Sequence, residues 1–262
     1  MAYIPEYWNN KKERAEQAKK HTEMMGRQCA PGIARCVHMT KTYGTEFTCC
    51  SKNIKKDMTV DVIDMDTVWA GKTYAKEGKV ALLNFASYKN PGGLFLNGSK
   101  AQEECLCHAS CLYNVLKEFS DYYKWNNEHK NKGLYLNRAL YSPDVLFHYE
   151  DTLFGCDVIT CAAPNKSTAQ EYCQVSDEDN LKALESRIKF ILDIAKDNEV
   201  DILVLGAYGC GVFGQNPTEV AMLFKKYLET THSNCFKKVV FAIPNGDNNN
   251  LSSFKEVFEK RA

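Results

Sequence analysis

The chain has 262 residues, 44% of them hydrophobic, and its 33 lysines and arginines balance 33 aspartates and glutamates. This is enough apolar material for one large domain or two small ones. The balanced charge excludes bulk electrostatic recruitment of nucleic acid or anionic lipid, so any anionic ligand has to be held locally. No apolar run is long enough for a membrane span, and we expect neither a membrane partner nor sequence-specific nucleic-acid binding.

The N-terminal quarter predicts one helix and an irregular stretch. Residues 9–25 are rich in charged helix formers and follow two asparagines that can cap a helix. Residues 26–56 contain Pro31, Gly32 and four cysteines, and we expect them to be irregular. We therefore assign 1–56 to an accessory segment packed on a core formed by 57–262.

From residue 57 onwards, short apolar runs alternate with helical periods. The strands are predicted at 58–65, 79–85, 145–149, 155–163, 200–208 and 237–244. The helices are predicted at 101–119, 177–197, 217–229 and 252–260, the last with a capping box formed by Ser253 and Glu256. Strands separated by helices favour a mainly parallel sheet with helices on both faces, whose ligand site lies beyond the strand C-termini.

The loop after the strand at 200–208 reads GAYGCGVFGQNP. Gly209, Gly211 and Gly214 form a G-x-G-x-x-G pattern between a strand and a helix, with Asn216 as a cap and Pro217 in the first turn. Three glycines in six positions expose backbone N–H groups and favour phosphate binding over a simple tight turn. A Rossmann topology is not expected, because the proline delays the helix and no acidic residue follows at the required offset.

The loop after the strand at 79–85 leads into a helix that begins with two acidic residues. Glu103 and Glu104 fall in its first turn, where the helix dipole favours negative charge, and taken alone they are simply favourable first-turn residues. Successive helix residues differ by about 100° in direction, so the two carboxylates cannot share one task. Mutual repulsion and an apolar wall such as Phe213 would raise one pKa toward that of a general acid, the chemistry of glycoside cleavage.

These residues match a known signature. The sequence resembles the bacterial-type poly(ADP-ribose) glycohydrolases, whose signature is three glycines followed after six to eight residues by Gln-Glu-Glu. Here Gly92, Gly93 and Leu94 are followed by seven residues and then by Gln102 and the two acids. The resemblance spans residues 10–244 and includes LLNFAS at 82–87, CLYNVL at 111–116, YSPDV at 141–145, DVITCAAPN at 157–165 and LVLGAYGCGVFGQNP at 203–217.

The resemblance implies a fold, a ligand and a set of site residues. The fold is a macrodomain-like three-layer α/β/α arrangement with a mixed, mainly parallel sheet. The ligands are ADP-ribose and poly(ADP-ribose) on modified proteins, and no cofactor or metal is implied. Glu104 corresponds to the catalytic glutamate and Glu103 to the neighbour that binds ribose hydroxyls. The ligand-binding residues carried over are Asn84, Gly92, Gly93, Gln102, Gly209, Cys210, Gly211, Val212, Phe213 and, near the adenine, Asp66.

Leu94 departs from the family pattern, because it occupies the position of the third glycine. If its backbone has a positive φ, leucine carries strain of order 1 to 3 kcal/mol, or the loop follows another path. In either case we expect Leu94→Gly to change turnover or KM.

The cysteines favour a structural role. Twelve cysteines without a basic-apolar leader favour a reducing, cytoplasmic location over a secreted disulfide framework. Cys107 and Cys111 have the i, i+4 spacing of a chelating pair near Cys105 and His108, but buried cysteines that act as small hydrophobes are commoner.

Three functions remain open from the sequence. The first is hydrolysis of the ribose–ribose O-glycosidic bond of poly(ADP-ribose), with Glu104 as general acid and base. The second is hydrolysis of another ADP-ribose linkage, on protein or nucleic acid. The third is a non-catalytic ADP-ribose reader, which the retention of both acids argues against.

Overall fold

A seven-stranded mixed sheet organises the chain, as seen in a computed structural model that describes residues 6–50, 56–246 and 248–259. The strands are β1 Lys41–Tyr43, β2 Thr59–Ile63, β3 Val80–Phe85, β4 Ala139–Tyr149, β5 Thr152–Cys161, β6 Ile202–Leu205 and β7 Lys238–Ala242. Their order is β1-β4-β5-β3-β6-β7-β2. The five strands from β5 to β2 are parallel, and β1 and β4 form an antiparallel edge.

Ten helices are described. They are α1 Lys11–Gln28, α2 Ala30–Met39, α3 Thr67–Tyr74, α4 Gln102–His108, α5 Leu112–Leu116, α6 Ser120–Glu128, α7 Lys166–Cys173, α8 Asp177–Asp197, α9 Pro217–Glu229 and α10 Asn250–Glu259. Asn10 caps α1 and Asn216 caps α9, both through side-chain oxygens that accept backbone N–H groups, as the sequence predicts.

The sheet separates two hydrophobic cores, which follow from the alternation of side chains along the central strand. Ala81 and Leu83 of β3 join the core formed with α8, α9 and α10. Val80 and Leu82 point to the opposite face and join the core formed with the helices from α1 to α6. The predicted three-layer α/β/α architecture is therefore confirmed, and β3 is buried on both faces as a central parallel strand requires.

The irregular structure predicted for 26–56 is wrong in its first half. Pro31 stands at the start of α2, where its missing N–H costs nothing, so it starts the helix. Gly32 lets α2 approach β4, because a Cβ at that position would lie 2.8 Å from Leu146 Cδ1. The segment also supplies β1 to the sheet, while residues 51–55 lie outside the described residues and the division at residue 56 stays a prediction.

The single helix predicted at 101–119 is also wrong, because the backbone leaves the helix to pair with β4. Ser110 forms a bridge with Phe147, and the carbonyl of Ala109 accepts the amide of His148. The chain is therefore divided into α4 and α5. The helices α3, α6 and α7 were not predicted, and β4 begins six residues before its predicted start at 145.

The capping box at the C-terminal helix is not formed. The last helix begins at Asn250, and Ser253 lies inside it, where its amide donates to the carbonyl of Asn249. None of the helices in the described part of the chain is long and apolar enough to cross a bilayer.

Candidate active site

The two acids lie where α4 meets the C-terminal end of β3. The side chain of Gln102, the first residue of α4, accepts the amide of Phe85 at 2.8 Å and donates to the carbonyl of Leu83 at 2.8 Å. Through these two hydrogen bonds, the Gln102 side chain pairs with the backbone of β3 and holds α4 against the strand. Both following glutamates are buried, with exposures of 3% for Glu103 and 6% for Glu104, which solvated first-turn residues would not be.

Both carboxylate oxygens of Glu103 are held by protein donors. Its Oε2 accepts the amide of Ser87 at 2.6 Å, and its Oε1 accepts Nδ2 of Asn84 at 3.2 Å. Burial raises the pKa of Glu103 to about 8, the neighbouring charge of Glu104 adds to the rise, and the donors, including the amide of Gly92, oppose it. Glu103 is therefore fixed in place and poorly solvated.

Glu104 is held by only one of its oxygens. Its Oε1 accepts the amide of Leu94 at 2.9 Å. Its Oε2 is buried and has no hydrogen-bond partner among the described residues. A buried carboxylate oxygen without a donor is costly, so such an atom points to a partner that arrives with a ligand.

The loop 90–98 passes close over both acids, and Gly93 makes this approach possible. Gly93 has a φ of 62°, and a Cβ there would lie 2.5 Å from Oε1 of Glu104 and 3.1 Å from Oε2 of Glu103. Gly92 has a φ of 65° and lies against Tyr113, where a Cβ would come within 2.8 Å of the ring. The close packing and the positive φ angles therefore explain why glycine occupies both of these signature positions.

Leu94 is not strained, contrary to the concern raised by the sequence. Its φ is −109° and its ψ is 30°, which any L-residue adopts. Its amide is the group that positions Glu104, and its side chain is 51% exposed. A leucine in place of the third glycine therefore leaves the backbone path and its hydrogen bond intact.

The N-terminal helix supports the far end of the same loop. Arg14 on α1 is 7% exposed, and its Nε donates to the carbonyl of Gly98 at 2.8 Å. Its Nη1 donates to the carbonyl of Trp8. A Cβ at Gly98 would lie 2.0 Å from the carbonyl oxygen of Lys11, so the loop and the helix are in direct backbone contact.

The second loop, residues 206–216, leaves the same edge of the sheet. β3 and β6 are parallel neighbours, with Leu82 opposite Val204, so the loops that follow them begin side by side. Phe85, the last residue of β3, and Tyr208 of the second loop meet edge to face with ring centroids 5.6 Å apart. The sequence-predicted site residues that follow β3 and β6 therefore share one edge of the sheet, as the topology of parallel strands requires.

Several amides of the second loop are not used by the fold. Within the described residues, the N–H groups of four loop residues donate to no protein acceptor: Gly209, Gly211, Val212 and Phe213. Val212 is 86% exposed, and a Cβ at Gly211 would meet no atom within 4 Å. Unpaired N–H groups on an open turn form a favourable site for an anion.

Phe213 packs on a tyrosine pair. Its ring lies 6.2 Å from that of Tyr135, which stacks on Tyr88 at 4.1 Å with an angle of 12° between the planes. Tyr88 follows Ser87, whose amide binds Glu103. The sequence suggests Phe213 as an apolar wall beside the acids. In the structure its ring packs instead against this tyrosine pair, which connects the two loops.

The remaining sequence candidates make contacts within the protein, and the predicted ligand contacts of Asp66 and Cys210 stay predictions. Asp66 is the N-cap of α3 and accepts the amide of Trp69 at 2.9 Å. Cys210 is half-buried, and burial raises the pKa of its thiol to about 12, which leaves it unreactive near neutral pH. His108 lies between the rings of Trp8 and Phe95. No group of His, Cys, Asp and Glu in the described ranges is arranged to hold a metal ion.

Several groups around the site have no signal in the sequence. The amides of Ser87 and Leu94 act through the backbone, so their residue types are uninformative. Tyr135 has a φ of 61°, a conformation rarely adopted by an aromatic residue and not predictable from sequence. Its position between Tyr88 and Phe213 becomes apparent only once β3 and β6 are aligned.

Comparison with known proteins identifies close structural similarity. The family model described as "Microbial-type PARG, catalytic domain" matches residues 9–150. The poly(ADP-ribose) glycohydrolase of Deinococcus radiodurans in complex with ADP-ribose is 30% identical, with a TM-score of 0.81, over 87% of this chain and 97% of that chain. No curated protein matches the sequence significantly.

A second organism provides similar matches. The poly(ADP-ribose) glycohydrolase of Thermomonospora curvata bound to the inhibitor ADP-HPD is 27% identical, with a TM-score of 0.82, over 94% of this chain and 99% of that chain. Another structure of the same enzyme is 28% identical with a TM-score of 0.83 and the same coverage. These similarities extend beyond the family-model match to nearly the full length of the chain.

Proposed function

This chain belongs to the microbial-type poly(ADP-ribose) glycohydrolase family, and we propose that Glu104 is its general acid and base. The protein is a poly(ADP-ribose) glycohydrolase: it hydrolyses the ribose–ribose O-glycosidic bonds of poly(ADP-ribose) and releases ADP-ribose. The observation that carries the residue assignment is the unequal hydrogen bonding of the two acids. Glu103 has donors on both oxygens, whereas Oε2 of Glu104 has none among the described residues.

Glu104 acts through Oε2. The Leu94 amide holds Oε1, which fixes the plane of the carboxyl group and leaves Oε2 for the substrate. The protonated group donates its proton to the departing ribose oxygen as the bond to the anomeric carbon lengthens. The resulting carboxylate then takes a proton from the attacking water.

Glu103 binds and orients the ribose next to the scissile bond. Its bonds to Ser87 and Asn84 fix its direction, so ribose hydroxyls can be held without rearrangement of the protein. Asn84 is fully buried, and its Oδ1 has no partner among the described residues, which supports a contact with a bound ribose. Gln102 supports the pair by docking α4 on β3.

The diphosphate is held by the second loop. The free amides of Gly209, Gly211, Val212 and Phe213 form the donor set, with the side chain of Phe213 against the ribose. Held there, the diphosphate places negative charge near the cationic sugar of the transition state and lowers its energy. One carboxyl group and one water therefore complete the reaction, on ADP-ribose chains attached to modified proteins.

The test is to offer purified protein poly(ADP-ribose) and measure the ADP-ribose released. Glu104→Gln keeps the shape and the bond from Leu94 but cannot transfer the proton, so kcat should fall at least about 100-fold. Calorimetric titration with ADP-ribose should give a Kd close to that of the unmodified protein. Turnover that is unchanged in Glu104→Gln would remove this residue from the mechanism.

A further inference from the structure

We propose that Asn180 and Gln215 are a pair of positioning residues that set the shape of the second loop for the diphosphate. The inference rests on the proposed function, because it assumes that this loop holds the diphosphate of ADP-ribose. Asn180 lies in the first turns of α8, and Gln215 closes the loop just before α9. Neither residue belongs to the glycine pattern, and they are far apart in the sequence.

The two side chains form a closed pair of hydrogen bonds. Nδ2 of Asn180 donates to Oε1 of Gln215 at 2.9 Å, and Nε2 of Gln215 donates back to Oδ1 of Asn180 at 2.8 Å. Nε2 also donates to the carbonyl of Pro164 at 2.8 Å. The residues are 1% and 3% exposed, so water cannot replace these bonds, and loss of one partner leaves the other unsatisfied.

The pair acts on the loop through Gly209, the first glycine of the G-x-G-x-x-G pattern. The amide of Gln215 donates to the carbonyl of Gly209 at 3.0 Å, which closes the loop on itself. Gly209 has a φ of 75°, and a Cβ there would lie 2.9 Å from Cγ of Gln215 and 2.8 Å from Cβ of Ala163. The side chain of Gln215 therefore packs directly against the backbone of Gly209.

A second contact supports the other side of the loop. The amide of Ser167, in the first turn of α7, donates to the carbonyl of Phe213 at 3.2 Å. Between these two attachments, Gly211 and Val212 are exposed, and their N–H groups have no acceptor among the described residues. The orientation of these N–H groups thus depends on the two ends of the loop, and Gln215 fixes one of them.

Donors that are already oriented bind an anion without the entropic cost of ordering the loop. When the amide pair is broken, the glycine loop retains its sequence and its N–H groups but samples more conformations, and only some of them suit the diphosphate. Affinity for ADP-ribose then falls, whereas the acid site on the other loop keeps its geometry. KM for the polymer should therefore rise more than kcat falls.

The experiment measures the Kd of ADP-ribose by calorimetry in the full chain, together with kcat, KM and Tm. Gln215→Ala and Asn180→Ala should each raise Kd at least about 10-fold. The double variant should bind no more than about twofold more weakly than the weaker single variant, because each change already breaks the pair. Losses that multiply in the double variant would show that the two residues do not act as a unit and would overturn the proposal.

Asn198→Ala is the matched control. Asn198 caps the C-terminal end of α8, is 6% exposed, and donates to the hydroxyl of Tyr43 at 2.8 Å. Tyr43 lies on the edge strand β1, which β4 and β5 separate from the strands β3 and β6 that precede the two loops. Asn198→Ala should lower Tm while leaving Kd unchanged. If Gln215→Ala and Asn180→Ala behave in the same way, with a lower Tm and an unchanged Kd, the pair is only structural and the proposal fails.

Asn180→Asp is a milder variant that tests the bonds themselves. The introduced carboxyl group can replace both bonds of the pair when protonated, but it repels Oε1 of Gln215 when ionised. The ratio of variant to wild-type Kd should therefore decrease as the pH is lowered from 8 to 5.5, and a ratio that does not depend on pH overturns the proposal. Wild-type protein that binds no ADP-ribose would instead overturn the assignment of the loop and the proposed function.

Discussion

The two loops of the site use their backbone amides in opposite ways. In the loop 90–98, the amide of Leu94 binds Glu104, the amide of Gly92 supports Glu103, and those of Gly93 and Phe95 bond within the loop. In the loop 206–216, the amides of Gly209, Gly211, Val212 and Phe213 have no acceptor among the described residues. The first loop thus uses these amides for bonds within the protein, whereas the second loop leaves several of its amides unpaired.

This difference matches the two requirements of the proposed mechanism. A general acid has to be held in one orientation before the substrate arrives, and buried N–H donors achieve this for both glutamates. A diphosphate site needs donors that are oriented but unpaired, which an exposed glycine loop attached at both ends provides. Changes in the first loop should therefore affect turnover, and changes in the second loop should affect affinity.

The largest effect is expected for Gly93→Ala. The added methyl group would lie 2.5 Å from Oε1 of Glu104 at a φ of 62°, so the loop or the acid has to move. We expect kcat to fall at least about 100-fold, as for loss of the acid itself, in a release assay on poly(ADP-ribose). Gly44→Ala, where a Cβ meets no atom within 4 Å, is the control and should retain activity.

The second loop provides the contrast to that change. A methyl group at Gly211 would meet no protein atom within 4 Å. Gly211→Ala should therefore leave kcat within about threefold of wild type and change mainly the Kd of ADP-ribose, as expected when a contact is lost equally from the bound substrate and the transition state. A kcat that falls as far as in Gly93→Ala would show that the two loops do not divide these roles.

An intermediate effect is expected in the pH dependence of stability. The pKa of Glu103 is raised to about 8 in the fold, so between pH 5 and 8 the unfolded chain has released a proton that the folded chain still holds. The folded state therefore loses stability as the pH rises in this range, by up to about 1.4 kcal/mol per pH unit. Glu103→Gln removes this dependence, so its Tm should increase relative to wild type from pH 5 to pH 8.

The control for this pH dependence is Glu118→Gln, which changes an exposed carboxylate on the surface. The difference between its Tm and that of wild type should stay constant over the same pH range. If Glu103→Gln gives an equally constant difference, the burial of Glu103 has no effect on its ionisation, and the raised pKa is wrong.

The smallest effect is expected for Leu94→Gly. The backbone at this position is in an ordinary conformation and the side chain is half exposed, so the bond to Glu104 should persist. Greater freedom of glycine in the unfolded chain should cost about 0.5 to 1 kcal/mol of stability. Contrary to the expectation from the sequence alone, kcat should stay within about threefold of wild type in the same release assay. A tenfold change would mean that the leucine side chain contacts the substrate.

The sequence predicted the elements that depend on local pattern. The central strand at 79–85 was predicted within one residue, because an apolar run between polar segments is typical of a buried parallel strand. The helix at 177–197 and the capped helix at 217–229 were predicted with their observed bounds. The segments that failed, α2 and the break before α5, depend on contacts with β4 that lie more than 30 residues away.

By itself, the sequence determined that the protein has a mainly parallel α/β fold, two glycine-bearing loops after its strands and two acids at the start of a helix, because all of these follow from residue type and spacing. Only the tertiary structure decided that Glu103 is fully bonded while Glu104 keeps one oxygen free, and that Asn180 meets Gln215. These features arise from hydrogen bonds between the backbone and side chains of distant segments, and such bonds leave no periodic pattern in the chain.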